Sequence, residues 1–324
     1  SCTVGGNVAE NSGGPRAVKY GVTGDYVCGI KAVLPDGTDF AFGGKIVKNV
    51  MGYDIPSILV GSEGTLAVFK EITFKLVPKP HFVSDLLVPF ASIRDAALTV
   101  SRILRSKIIP SAIEFMDRSS IDAVEKLLER KMPYGEAGAQ LLIQLDSSDG
   151  DEAEKIYEKV GGICMENNAE DVLVADNSQM KEKLWEARRK IREAIKPISP
   201  VKRSSDVVVP RFRIPDLLER IYLLQDKHGI RFINYGHAGD GNVHVNILKE
   251  GMGDGDWDAK LPVVLDELYE IVVGMGGAIS GEHGIGVVQK KYLRKAVGDR
   301  EIRIMTDIKK LFDPNNILNP GKIF

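Results

Sequence analysis

The 324-residue sequence contains no apolar run near the ~20 residues that a membrane-crossing helix requires. Its start shows no basic stretch leading into an apolar one, so no secretory signal is expected. Cysteine is scarce: Cys2, Cys28 and Cys164 are odd in number, far apart and form no CxxC ladder. That pattern excludes an iron–sulfur cluster on this chain and points to a reducing compartment with buried or inert thiols. Charge of either sign is not in excess, with 43 Lys+Arg against 45 Asp+Glu and a net charge of −2. Neither nucleic acid nor an acidic membrane surface is implied. No GxGxxG joins a strand to a helix, so a Rossmann fingerprint is missing, and there is no internal repeat or low-complexity tract. With 44% hydrophobic and 27% charged residues, the chain is an ordinary globular one, long enough for two domains.

Histidine is also rare, yet three of the five cluster in two glycine-rich segments. Asn234 to Asn246 reads NYGHAGDGNVHVN and carries His237 and His244; Ser280 to Gly286 reads SGEHGIG and carries Glu282 and His283. Seven residues apart on a helix, His237 and His244 would be about 10 Å apart along the axis, too far for one ion. On one straight strand they would point to opposite faces. A hairpin removes both obstacles: Arg231 to Tyr235 and Val243 to Leu248 read as strands, and Asp240-Gly241 is a tight-turn dipeptide. Two neutral imidazoles suit zinc and similar divalent ions, and Glu282 would add a hard oxygen, leaving one position open as catalytic sites do. The bland alternative is a pair of ordinary surface histidines. Gly281, Gly284, Gly286 and Gly236, Gly239, Gly241 count against it, because backbone there can approach a bulky flat ligand without Cβ clashes.

The first segment, to about Pro80, is glycine-rich and β-like. It contains GGNVAENSGG (Gly5 to Gly14), a turn at Pro35-Asp36-Gly37, the segment KNVMGYD (Lys48 to Asp54), GSEGTL (Gly61 to Leu66) and an alternating strand through Ile72, Phe74 and Leu76. Pro78 and Pro80 mark a boundary. Beyond it the period changes. Phe82 to Phe90 reads as a strand, and Ser92 caps a helix with an apolar stripe at Ile93, Ala96, Ala97, Val100, Ile103 and Leu104. Strands at 112–116, 141–146 and 171–176 alternate with helices at 119–131 and 151–160. A long charged helix at 179–196, the strand VVVP (Val207 to Pro210), helix 215–228, the hairpin, a further helix to Val273 and two tail helices follow. This alternation predicts an α+β layer with a helix-covered sheet.

Taken singly, GGNVAENSGG and GSEGTL are ambiguous between ligand loops and surface loops. Their order is more specific. GGNVAENSGG, KYGVTGDYV, KNVMGYD, GSEGTL, HAGDGNVH, SGEHGIG and NPGKIF succeed one another along the whole chain. That series resembles the flavoprotein subunit of glycolate oxidase and its relatives, the D-lactate and D-2-hydroxyglutarate dehydrogenases of the vanillyl-alcohol-oxidase-type FAD superfamily. The resemblance implies an α+β chain: the second part of an FAD-binding domain at 1–80, then a ferredoxin-like-type α+β substrate (cap) domain at 81–324 whose C-terminal helices return to the FAD domain. The start inside a glycine motif, with no methionine, leads us to expect that upstream residues have been lost, cleaved away or left out, so that this chain lacks the family's earlier half of the FAD domain.

By the same resemblance, Gly5, Gly6, Asn7, Asn11, Gly13 and Gly14 would form one flavin-contacting loop and Gly61, Glu63 and Gly64 a second. His237, His244 and Glu282 would bind a divalent metal (zinc, or manganese or iron). His283 would be the base beside the flavin, Asn242 a polar neighbour of the substrate, and Arg188 the grip on the substrate carboxylate, a role its fork geometry suits. The implied reaction is FAD-dependent oxidation of a small D-2-hydroxy acid, of glycolate or D-lactate type, to the 2-keto acid. Electrons would pass to an external acceptor: an iron–sulfur subunit, an electron-transfer flavoprotein or a quinone. A cytoplasmic protein, free or peripheral at the inner face of the membrane, is expected, and a homodimer is compatible with it. Arg192 stands where the hydroxyglutarate-specific class has a small hydroxyl residue, and Lys202-Arg203 offers basic groups at a different spacing, which leaves the distal end of the substrate open. The competing class is a flavin-free metallohydrolase or non-catalytic fragment, since two histidines and a glutamate also make a hydrolytic site.

Overall fold

Side-chain period changes near Pro78, and there the chain passes from one compact unit to another. The computed structural model describes residues 2–324. The first unit holds the chain up to Gly14, then Gly21–Pro78 and Ile279–Phe324; the second holds Pro15–Tyr20 and Lys79–Ala278. The second unit ends at Ala278, and the C-terminal tail belongs to the first unit.

GGNVAENSGG does not form the expected loop. Its core is a short helix, α1 (Val4–Glu10), capped by Thr3, whose side chain accepts from Gly6 N at 3.0 Å. Two glycines disfavour a helix by about 0.5–1 kcal/mol each. Packing overrides them: Val8 is fully buried in an apolar cluster with Ile30, Ala32, Leu59 and Leu66. The chain visits the second unit for α2 (Ala17–Tyr20) and returns. Strands β1 (Val27–Val33) and β2 (Asp39–Gly43), helix α3 (Ile55–Leu59) and strand β3 (Val68–Phe74) follow, with β1 in the middle of an antiparallel three-stranded sheet. β3 stops at Phe74, short of the alternation read in the sequence, and Leu76 is exposed.

The second unit runs β4 (Phe82–Phe90), α4 (Ile93–Arg105), β5 (Ala112–Asp117), α5 (Arg118–Leu128), β6 (Ala139–Ser147), α6 (Gly150–Glu166), β7 (Leu173–Ala175) and α7 (Ser178–Ile198). It continues with β8 (Lys202–Val208), α8 (Ile214–His228), β9 (Phe232–His237), β10 (Asn242–Leu248) and α9 (Asp254–Gly274). Ser92, Asp117, Asp149 and Asn177 each cap a helix by accepting the N–H three residues on. The seven strands form one sheet in the order β7-β4-β6-β5-β9-β10-β8, every neighbour antiparallel. Helices α5 and α7 cover one face, where Leu184, Ala187 and Ile191 meet Met116, Leu142, Ile233 and Tyr235. β8 begins five residues before the VVVP signal. Its KRSSD start is polar because β8 is an edge strand with one neighbour.

The tail closes with α10 (Leu293–Ala296) and α11 (Asp299–Phe312). Ile308 and Phe312 pack on the Val8 cluster. Beside them the buried Lys309 ammonium donates to Thr65 O at 2.7 Å and Leu318 O at 2.9 Å and pairs with Asp313. The three cysteines are free, as expected, although Cys2 is exposed; burial pushes the Cys164 thiol up to about 12. Among the described residues, no helix is long and apolar enough to cross a membrane.

Two stability predictions follow from buried charge. Lys309→Met removes the ammonium from Thr65 O and Leu318 O and leaves the buried Asp313 carboxylate without its cation, and should cost about 2–4 kcal/mol in urea unfolding; a change below about 0.5 kcal/mol would show the anchor to be dispensable. Asp117 accepts from Ser120 N at 2.8 Å and Asn234 N at 2.8 Å, yet burial raises its carboxyl to about 6. A folded pKa above the unfolded value of about 3.9 means that stability is full below about pH 4 and falls as pH rises through about 6. Relative to the non-titrating Asp117→Asn, the wild type should lose about 2–3 kcal/mol between roughly pH 4 and 7. A flat difference across that window contradicts this.

Candidate functional site

β9 and β10 make the hairpin that the histidine spacing required. Asp240 N and Gly241 N both donate to His237 O at 3.2 Å, closing the turn. Gly241 has φ 96°, and a Cβ there would lie 2.1 Å from Val209 O, so no other residue fits. The register sets His237 opposite Asn242 and His244 opposite Tyr235. The two imidazoles are therefore diagonal neighbours on one face, with Nε2 atoms 3.4 Å apart.

The strands on either side supply what the sequence did not reveal. Glu114 on β5 lies directly across from His237, and its Oε1 and Oε2 are 2.7 and 2.9 Å from His237 Nδ1. Asp206 on β8 lies directly across from His244, with Oδ1 3.6 Å from His244 Nδ1. Both carboxylates are fully buried. The Glu114 carboxylate on His237 Nδ1 places the proton there and leaves the His237 Nε2 lone pair facing His244 Nε2, where a cation between the rings would meet both imidazoles. The buried carboxylates of Glu114 and Asp206 behind the rings suit a positive ion. The imidazole donors fit zinc or a similar divalent metal.

Arg188, expected to grip substrate, is held otherwise. It is buried on α7, with Nη2 2.5 Å from Glu114 Oε2 and its guanidinium 4.8 Å from the Tyr235 ring centre. Burial alone would raise the Glu114 carboxyl, but the charge of Arg188, with the hydrogen bond from His237, outweighs it and holds the group below its usual range. Asn242, expected beside the substrate, donates Nδ2 to Asp206 Oδ1 at 2.5 Å and to Val207 O at 3.1 Å. Arg188 Nε and Nη2 and Asn242 Oδ1 are buried with no hydrogen-bond partner among the described residues, the Nη2–Glu114 contact being an ion pair without hydrogen-bond geometry.

In the first unit the flavin-type loops are tied mainly to each other. Gly61, Glu63 and Gly64 all have positive φ, at 75°, 51° and 67°. The Glu63 carboxylate accepts from Ile285 N and Gly286 N, each at 2.7 Å, and so holds the SGEHGIG loop instead of lying free for a ligand. That loop presents Glu282, half-buried, and His283, exposed. Gly284, with φ 69°, could carry no Cβ: it would lie 2.5 Å from Glu10 Oε2 and 2.8 Å from Glu63 Oε1. Burial, then the charge of Glu63, raises the Glu10 carboxyl. Asn11 is likewise structural, its Oδ1 accepting from Gly24 N at 2.8 Å, and Asn7 O accepts from Ser12 N at 2.9 Å. Gly6 lies within α1, its Cβ position blocked by the Thr3 cap, and Gly13 follows the helix. At Gly5 and Gly14 the space beside the backbone is open, and Ser62 Oγ and Glu10 Oε2 are buried without partners among the described residues. Open glycine backbone and unpaired polar atoms fit a large polar ligand such as FAD.

Comparison with known proteins agrees. Residues 79–323 match the family model of the FAD linked oxidases, C-terminal domain, and residues 1–42 that of an FAD binding domain. A D-lactate dehydrogenase of Anaerostipes hadrus is 39% identical over 99% of this chain and 69% of its own length. The glycolate oxidase subunit GlcD of Bacillus subtilis is 39% identical over 99% of this chain and 68% of its own. The chain thus spans about two thirds of these relatives. Among solved structures, p-cresol methylhydroxylase has the same fold, with a TM-score of 0.73 at 14% identity over 98% of this chain and 68% of that one. Alkyldihydroxyacetonephosphate synthase follows with a TM-score of 0.68 at 18% identity over 98% of this chain and 57% of that one. The chain belongs to the FAD-linked oxidase family.

Proposed function

We propose that this protein oxidises a small D-2-hydroxy acid, of the glycolate or D-lactate type, to the 2-keto acid with FAD and a divalent metal. The observation that carries the reading is the facing pair of His237 and His244 Nε2 atoms, each imidazole backed by a buried carboxylate. The relatives named for D-lactate and glycolate oxidation support the substrate class. The FAD-binding match and the glycine segments count against a flavin-free hydrolase.

In this reading Glu282 is the third metal ligand. It follows by four residues the bridge that pairs Ala278 with Val208, the β8 residue opposite Asn242. The bound metal supplies Lewis acidity toward the substrate hydroxyl, and FAD supplies the hydride acceptor. His283 accepts the hydroxyl proton at an imidazole nitrogen. Arg188 Nε and Asn242 Oδ1 are the polar atoms left for the bound acid, and through them these residues orient its carboxylate and hydroxyl. Gly5 and Gly14, with open space beside them, let backbone approach the flavin; Gly6, Gly13, Gly61 and Gly64 belong to the same flavin segments, with Asn7, Asn11 and Glu63 holding those segments in shape.

Electrons leave to an external acceptor, since the three cysteines are free and scattered. An iron–sulfur subunit or an electron-transfer flavoprotein suits that need, and the word subunit in the name of the Bacillus relative supports an assembly. Balanced charge and unpaired cysteines support a cytoplasmic setting, free or peripheral at the inner face of the membrane.

Anaerobic mixing with D-lactate or glycolate tests the reaction through bleaching of the flavin band. His283→Ala should slow bleaching by about 10²–10⁴-fold while bound metal, read by elemental analysis, stays unchanged; bleaching at the wild-type rate would remove His283 from the mechanism. Stripping the metal with a chelator should abolish bleaching, and zinc or manganese should restore it. Full-rate bleaching by the stripped protein would take the metal out of the reaction.

A further inference from the structure

We propose that Glu114 is a positioning residue for the metal site, fixing the tautomer, orientation and electron richness of His237, and that Arg188 acts on the same site by holding Glu114. The proposal rests on reading the histidine pair as a metal site.

Geometry supports it at three points. The Glu114 carboxylate meets His237 Nδ1 through both oxygens, at 2.7 and 2.9 Å, so the imidazole cannot turn over without losing a fully buried partner. Oε2 also meets Arg188 Nη2 at 2.5 Å, which fixes the carboxylate from the far side. The guanidinium is in turn seated over Tyr235, which stands two residues before His237 on the same face and opposite His244. Arg188, Glu114 and His237 thus form one rigid line from α7 through β5 to β9. Asp206 and Asn242 build a looser counterpart at His244, with the carboxylate 3.6 Å from Nδ1.

A buried glutamate in the middle of an apolar strand has a competing explanation: it could serve only as the counter-ion that lets Arg188 be buried. The two accounts differ once both charges are gone. If Glu114 serves only Arg188, then Glu114→Gln/Arg188→Met, which leaves no unpaired charge, should restore whatever the single Glu114→Gln loses. If Glu114 positions His237, the double variant should recover thermal stability but not metal affinity.

The experiment is a zinc(II) titration by calorimetry on the metal-stripped full chain, with thermal unfolding followed in parallel. Glu114→Gln should weaken zinc binding by about 10–100-fold, the usual effect of losing a carboxylate behind a ligating histidine. The double variant should remain weakened by a similar factor while melting close to the wild type. With cobalt(II) as probe, its visible bands should shift in both variants, reporting altered coordination. Wild-type zinc affinity in the double variant overturns this proposal alone. A wild-type chain that takes up no zinc overturns the metal reading and this proposal with it.

Discussion

Two buried carboxylates, each facing the Nδ1 of a histidine on the neighbouring strand, set the character of the second unit. Glu114 fixes the orientation of the His237 ring through Nδ1, Asp206 stands 3.6 Å from His244 Nδ1, and the two Nε2 atoms lie 3.4 Å apart. Carboxylates at zero exposure are costly unless paired. Here the pairing partners are the guanidinium of Arg188, the amide of Asn242 and the two imidazoles themselves. Removing any member leaves another buried group unmatched, so the cluster is cooperative.

This constraint reaches the fold through strand register. Glu114, His237 and Asn242 lie in one row across β5, β9 and β10, and Tyr235, His244 and Asp206 lie in the next across β9, β10 and β8. A one-residue slip of any of these strands would carry its polar group to the other face. The register is therefore pinned twice, by the apolar contacts under α5 and α7 and by this polar block. The glycine turn at 239–241 keeps the hairpin short enough for the two histidines to meet, because Gly241 alone tolerates the approach of Val209 O.

The first unit uses glutamate differently. Glu63 and Glu10 flank the backbone of Gly284, and Glu63 fixes the loop that bears Glu282 and His283 by two backbone hydrogen bonds. The loop is thereby ordered by segments more than two hundred residues away in sequence. Glu63 and Asn11 both spend side-chain oxygens on backbone N–H groups, while the space beside Gly5 and Gly14 is open.

Much was readable without coordinates. Apolar period and the Ser92 cap placed α4, and two strand-like runs around Asp240-Gly241 placed the histidine hairpin, to within a few residues, since these signals are local. The order of the glycine segments pointed to the family, as the whole-chain match bears out. What the sequence could not give was partnership across strands. Glu114 stands in AIEFMD and Asp206 in KRSSD, far from the histidines, and only the order β5-β9-β10-β8 sets them behind the rings. The one local hint was a charged residue inside an otherwise apolar strand, which burial makes rare unless it is paired. Likewise the helix α1 was hidden by its glycines, because its stability comes from Val8 packing against β1, α3 and the segment before β3, not from propensity. Sequence alone thus determined the family and the histidine hairpin; tertiary structure decided which buried carboxylates stand behind the histidines, because long-range pairing leaves no periodic trace in the chain.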